Sequence, residues 1–121
     1  MIYSISEALM IWKPDSKYVI IGNSYSGLDW KSSDTKPTES EVTAKITELN
    51  DAEPMRLLRV ERDKLLTDCD WTQSRDITLS NDADWKTYRQ ELRDLPASAS
   101  PTLDSDGNLK MSSVTWPTKP S

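Results

Sequence analysis

Between Asn81 and Pro96 the apolar residues Trp85, Tyr88, Leu92 and Leu95 recur at steps of three, four and three. Only an α-helix turns that spacing into one stripe. Asn81 supplies an N-cap, Asp82 and Asp84 place acids in the first turn, and Pro96 predicts the stop. A helix of this length is marginal alone in water, so its stripe must lie on a core or a partner. The chain has 121 residues, of which 36% are hydrophobic and 29% charged, with a mean hydropathy of −0.67. Those values predict one domain with a small core. Five Trp and four Tyr, with no Phe, are the expected anchors.

A second helix opens at Thr38, where Pro37 precedes it and Glu41, three residues on, completes a capping box. Val42, Ile46 and Leu49 form its stripe. Pro54 removes a backbone donor, which predicts a break there and a fresh helix beyond. From Met55 onward Leu58, Leu65, Leu66 and Cys69 share a face, while Arg56, Arg59 and Arg62 alternate with Glu61 and Asp63 as a solvated, ion-paired surface. Residues 71–80 lose the helical period and read as a loop.

Toward the N-terminus, residues 5–12 suit a short helix. The β-branched cluster at residues 18–21, the turn residues Gly22 and Asn23, and Leu28-Asp29-Trp30 predict two short strands. After Pro96 the composition shifts to Ala, Ser, Pro and Thr, which predicts a mobile tail that buries little. Asp106-Gly107, flanked by Leu103 and Leu109, predicts a short hairpin inside it. The expected fold class is α+β: a small N-terminal hairpin as a docking segment (1–36), two or three central helices forming an antiparallel helical hairpin (37–96), and an extended, flexible tail (97–121).

The chain carries no His, which removes the commonest general base and a common metal ligand. Cys69 sits on an apolar helix face with no activating neighbour in sequence and reads as a structural thiol; being the only cysteine, it can form no internal disulfide. Three glycines are too few for a phosphate-binding loop. Asp104, Asp106 and Asn108 alternate like calcium ligands, but Gly107 is misplaced and no Glu closes the loop. No catalytic residue, cofactor or metal ligand is therefore assigned. The net charge of −5 opposes sequence-independent binding to nucleic acid or anionic membrane, and no apolar run approaches the roughly 20 residues of a membrane span. The start lacks a basic secretory n-region, so a cytoplasmic location is expected.

The third helix mixes residue types enriched at binding hot spots, with Trp85 and Leu92 favoured as core and Arg89 and Arg93 expected on the exposed edge. Residues 62–96, RDKLLTDCDWTQSRDITLSNDADWKTYRQELRDLP, resemble the phage tail assembly chaperones, often called tail fibre assembly proteins. The resemblance lies in the order Arg-Asp-Lys-Leu-Leu, Asp70-Trp71-Thr72-Gln73, an acidic linker, Trp85, Tyr88-Arg89, Leu92-Arg93 and Leu95-Pro96. Fainter echoes are the Pro37-Thr38-Glu39 start and Trp116-Pro117-Thr118-Lys119-Pro120.

That resemblance implies a phage protein that assists folding or attachment of a tail or tail-fibre component, acts without catalysis in the host cytoplasm, and in some relatives stays on the virion. It implies an uninterrupted helix where this sequence has Pro54. The expected protein-binding residues are Trp71, Trp85, Tyr88, Arg89, Leu92, Arg93 and Trp116; the partner is a tail fibre or other tail protein, and homo-oligomers are compatible with the pattern. Two other classes share these traits: a structural tail subunit kept in the virion, recognisable by stoichiometric presence in purified particles, and an enzyme working with carboxylates, Lys or Tyr alone, recognisable by loss of activity on carboxylate replacement.

Overall fold

The structure, a computed structural model, describes residues 3–121. In chain order it contains α1 (Ile5–Trp12), β1 (Tyr18–Ile20), β2 (Leu28–Trp30), α2 (Glu39–Asp68) and α3 (Asp82–Ser98), with 3-10 turns at Tyr25–Gly27, Asp70–Gln73 and Met111–Ser113. The class is α+β, as expected. Two compact units divide the chain, Met1–Glu53 and Pro54–Ser121.

The first unit packs α1 and a β-hairpin on the opening turns of α2. Ser4 caps α1 by accepting from the Glu7 amide at 3.1 Å, while the Glu7 carboxylate accepts from the Ser4 amide at 3.4 Å. Another amide of this first turn, on Ile5, donates to Asn23 Oδ1 at 3.1 Å. A loop side chain thus satisfies a donor that the helix itself cannot. β1 and β2 pair antiparallel with Tyr18 opposite Trp30, and those rings stack at 6.2 Å across the ladder. Gly27 is required by space: a Cβ there would stand 2.2 Å from the Ile21 carbonyl oxygen. Ile5, Ala8, Leu9, Leu28, Val42 and Ile46 form the buried core.

The capping box at Thr38 forms as the spacing predicts, with the Glu41 amide donating to Thr38 Oγ1 at 3.2 Å and the Thr38 amide to Glu41 Oε1 at 3.1 Å. The break expected at Pro54 does not occur: α2 is one 30-residue helix through it. An internal Pro costs about 3 kcal/mol in a helix. Each side of it, however, is pinned by its own buried residues, Val42 and Ile46 before and Leu58 after. Burying such a side chain contributes roughly 1.5–3 kcal/mol, so the flanking turns together outweigh the local penalty.

In the second unit α2 and α3 run antiparallel. Cys69 packs with Trp85, Tyr88 and Leu92 at one level, and Leu58 with Leu95 at the next. Pro96 does not end α3, which continues to Ser98. So near the terminus the Pro removes one amide, while Leu95, buried beside Leu58, stays anchored and its carbonyl accepts from the Ala99 amide at 3.0 Å. Nor does the Asn81 side chain cap α3; it donates instead to the Ser121 carbonyl at 2.9 Å.

The segment after Ser98 buries more than its composition predicts. Val114 is 6% exposed and joins Leu58 and Leu95, with Leu109 and Trp116 packed alongside. An averaged composition hides three well-placed apolar side chains among many Ser and Thr. The turn at Asp106-Gly107 forms, with Gly107 at φ +83° and a single antiparallel bridge between Leu103 and Leu109. Asp104 Oδ1 accepts from the amides of Asp106 and Asn108 at 2.9 and 3.0 Å, so this carboxylate serves the turn.

Candidate protein-binding surface

The seven residues expected to bind a partner separate into two groups. Trp85, Tyr88 and Leu92 are 5%, 5% and 0% exposed and form the packed seam between α2 and α3. The preference for Trp85 and Leu92 as core is met, and Tyr88 goes with them. Trp71, by contrast, is 52% exposed and meets the Trp85 ring edge-on at 6.0 Å. Trp85 in turn meets Tyr88 edge-on at 6.0 Å, so three rings lead from surface to interior.

Arg89 is not on the exposed edge where its position in the stripe placed it. Its side chain is 12% exposed, and its guanidinium donates to the Leu66 carbonyl at 2.9 Å, Cys69 Sγ at 3.1 Å and Asp70 Oδ1 at 2.9 Å. Leu66 lies in the last turn of α2, where its carbonyl accepts from the Cys69 amide at 3.2 Å and from the guanidinium as a second donor. That turn holds no basic residue of its own. Arg89 supplies from α3 the cation that a helix C-terminus favours. Burial opposes its charge, but the hydrogen bonds to Cys69 and Asp70 outweigh that, so its pKa lies above the ordinary guanidinium value. Burial, which disfavours the charged form, lifts the Tyr88 phenol, helped by Cys69 and Asp68. Arg93 is exposed and donates to Gln90 Oε1 at 3.2 Å. Trp116 is half-buried, donates from Nε1 to the Met111 carbonyl at 3.2 Å, and borders a groove of about 420 Å³ along the second half of α3.

Other exposed apolar residues were not singled out from the sequence. In the second unit they are Val60, Ile77 and Met111; in the first they are Met10, Ile11, Val19 and Ile21. A signal existed for Met10 and Ile11. The run Ile5–Trp12 is apolar around nearly the whole helix, more than one core-facing stripe needs.

A family model described as phage tail assembly chaperone protein matches residues 55–121, more than half of the chain. The chain belongs to the phage tail assembly chaperone family. The matched residues coincide with the second compact unit, Pro54–Ser121, and they take in the second half of α2, all of α3 and the Trp116-Pro117 segment. The family is generally non-enzymatic and serves phage tail assembly. Its match leaves the Pro37-Thr38-Glu39 helix start outside. No curated protein and no solved structure matches the chain significantly. Among the described residues no helix is long and apolar enough to cross a membrane.

Proposed function

We propose that this protein is an assembly chaperone that binds a tail-fibre or other tail protein in the host cytoplasm and covers its sticky surface until it oligomerises or docks. The coincidence of the family match with one compact unit, residues 54–121, carries this reading. Within that unit Trp71 and Arg93 are exposed and Trp116 is half-buried, so these three of the expected set offer a partner the most surface. Trp71 is the strongest contact candidate, because a large half-exposed indole held against buried rings loses little freedom on binding.

Co-expression with the tail-fibre protein of the same phage tests the reading. The expected outcome is several-fold more soluble, oligomeric fibre protein and a complex that survives purification, with Trp71→Ala reducing capture while leaving the melting midpoint of the free chaperone nearly unchanged. Fibre protein that is equally soluble and oligomeric without the chaperone, together with no complex, would overturn it. Purified particles show whether the protein leaves after assembly: its absence is expected, and stoichiometric retention identifies a structural subunit instead.

A further inference from the structure

Residues 115–121 have no regular secondary structure and run along α3 in the opposite sense. Trp116 is half-buried, but beyond it the chain is held loosely. Among the described residues, one hydrogen bond fixes residues 117–121, from Asn81 Nδ2 to the Ser121 carbonyl. Between residues 118–121 and α3 lies a cavity of about 720 Å³ lined by Asp84, Thr87, Tyr88 and Glu91. Asp84 and Glu91 are exposed carboxylates on its walls, and Lys119 borders the same space without an ion pair to either. Tyr88 is 5% exposed, and its hydroxyl has no hydrogen-bond partner among the described residues. With its pKa raised by burial that hydroxyl stays protonated and can donate. The hydroxyl is not sealed off from solvent: it opens on this cavity, where a ligand can reach it.

We propose that the face of α3 bearing Asp84, Tyr88 and Glu91 is a docking groove for an extended peptide of a partner protein carrying proline and lysine, and that residues 118–121 are a displaceable strap over it. The strap itself shows the chemistry that fits: Pro117-Thr118-Lys119-Pro120 is stiff, extended and basic, and it lies beside an acidic wall. Prolines lower the ordering cost of an extended ligand, and the carboxylates attract its lysine. Tethered by a short linker, the strap competes at an effective concentration on the order of millimolar. A partner segment of similar chemistry therefore binds well only when it outcompetes or displaces residues 118–121. This rests on the reading that the family unit binds protein, but a synthetic peptide probes the groove whichever tail protein is the client.

The probe is the peptide Thr-Pro-Thr-Lys-Pro-Ser, titrated by NMR into three proteins: the full chain, the chain lacking residues 118–121, and the full chain with K119E and P120G. The last keeps every residue position, so it serves if the shortened chain melts early. Saturable shifts at α3 resonances around Tyr88 and Glu91 are expected, with affinity about tenfold higher in the two altered chains than in the intact one. Glu91→Lys and Tyr88→Phe in an altered chain should each weaken binding severalfold; the Phe change keeps the ring packing, so a purely structural Tyr88 would leave affinity unmoved. Absence of saturable shifts at millimolar peptide, or equal affinity in intact and altered chains, overturns the proposal. Dimerisation of the intact chain by exchange of residues 115–121 overturns it in favour of a second copy as occupant.

Discussion

The two compact units solve the same problem by different means. The first, Met1–Glu53, ties short elements together through side chains that reach backbone or polar groups far away in sequence. Asn23 holds α1, Tyr25 donates to the Pro37 carbonyl, and Tyr3 donates to Asn50 and Glu53 of α2. The second, Pro54–Ser121, rests on one apolar seam between two helices, closed at its end by Arg89 and at its side by Val114. Only the second matches the family. The residues that carry the family resemblance divide: Leu65, Leu66, Thr72, Trp85, Tyr88, Arg89, Leu92 and Leu95 pack, while Asp63, Lys64, Asp70, Trp71, Gln73 and Arg93 are exposed. What is most recognisable in this chain therefore records both how the unit folds and part of the surface it presents.

The largest expected effects test whether the seam is as essential as the first unit's core. Leu92→Ala in the seam and Leu9→Ala in the other core, both 0% exposed, should each cost about 2–5 kcal/mol in chemical denaturation. If Leu92→Ala costs much less, α2 and α3 close up over the gap and the seam is softer than its burial implies.

Next in size is the contrast between the two arginines. Arg89→Ala removes the guanidinium bonds to the Leu66 carbonyl, Cys69 Sγ and Asp70 and should cost about 1–3 kcal/mol, whereas Arg93→Ala should stay within about 0.5 kcal/mol. Arg89→Lys should recover only part, since one ammonium cannot span three acceptors in the guanidinium's geometry. Equal effects of the two alanine changes, measured by thermal melts, would make Arg89 solvated surface after all.

At the seam of the chain itself, Pro54→Ala should stabilise by about 1–3 kcal/mol, the helix penalty less the restraint that proline places on the unfolded chain. A loss of stability there would show that proline's ring contributes packing that alanine cannot replace. The smallest effect concerns the first unit's helix start. Thr38 holds the Glu41 carboxyl below its ordinary value, chiefly through its backbone amide and then its side chain. A carboxyl lowered in the folded state contributes stability that is present above its unfolded value of roughly 4.3 and is lost as pH falls through the folded one. Helicity followed by circular dichroism from pH 5 to 3 should accordingly fall less steeply in Glu41→Gln than in the parent.

Several elements were legible in the residues because local geometry alone decides them. The Thr38–Glu41 capping box and the Trp85 stripe depend on neighbours within four residues, and the strands around Gly22-Asn23 pair across one short connection. Of the candidate surface, Trp71 and Arg93 lie where a partner can reach them, while the Arg89 guanidinium is turned inward and the Tyr88 ring is packed in the seam with only its hydroxyl edge on a cavity. A helical stripe marks which side of α3 is apolar; it does not say whether its flanking arginine meets water or the end of another helix.

Those remaining choices belong to the tertiary structure. Pro54 is a helix breaker by every local rule, yet α2 passes through it because buried residues on both sides hold the turns in place. Pro96 is carried past its position by Leu95 in the same way. Val114 sits in a Ser- and Thr-rich segment that no compositional argument would bury, and it is buried by Leu58 and Leu95, residues far from it in sequence. Local free energies of a few tenths to about 3 kcal/mol set what a segment prefers. Contacts between distant residues contribute as much or more, and they exist only once the chain has brought those residues together.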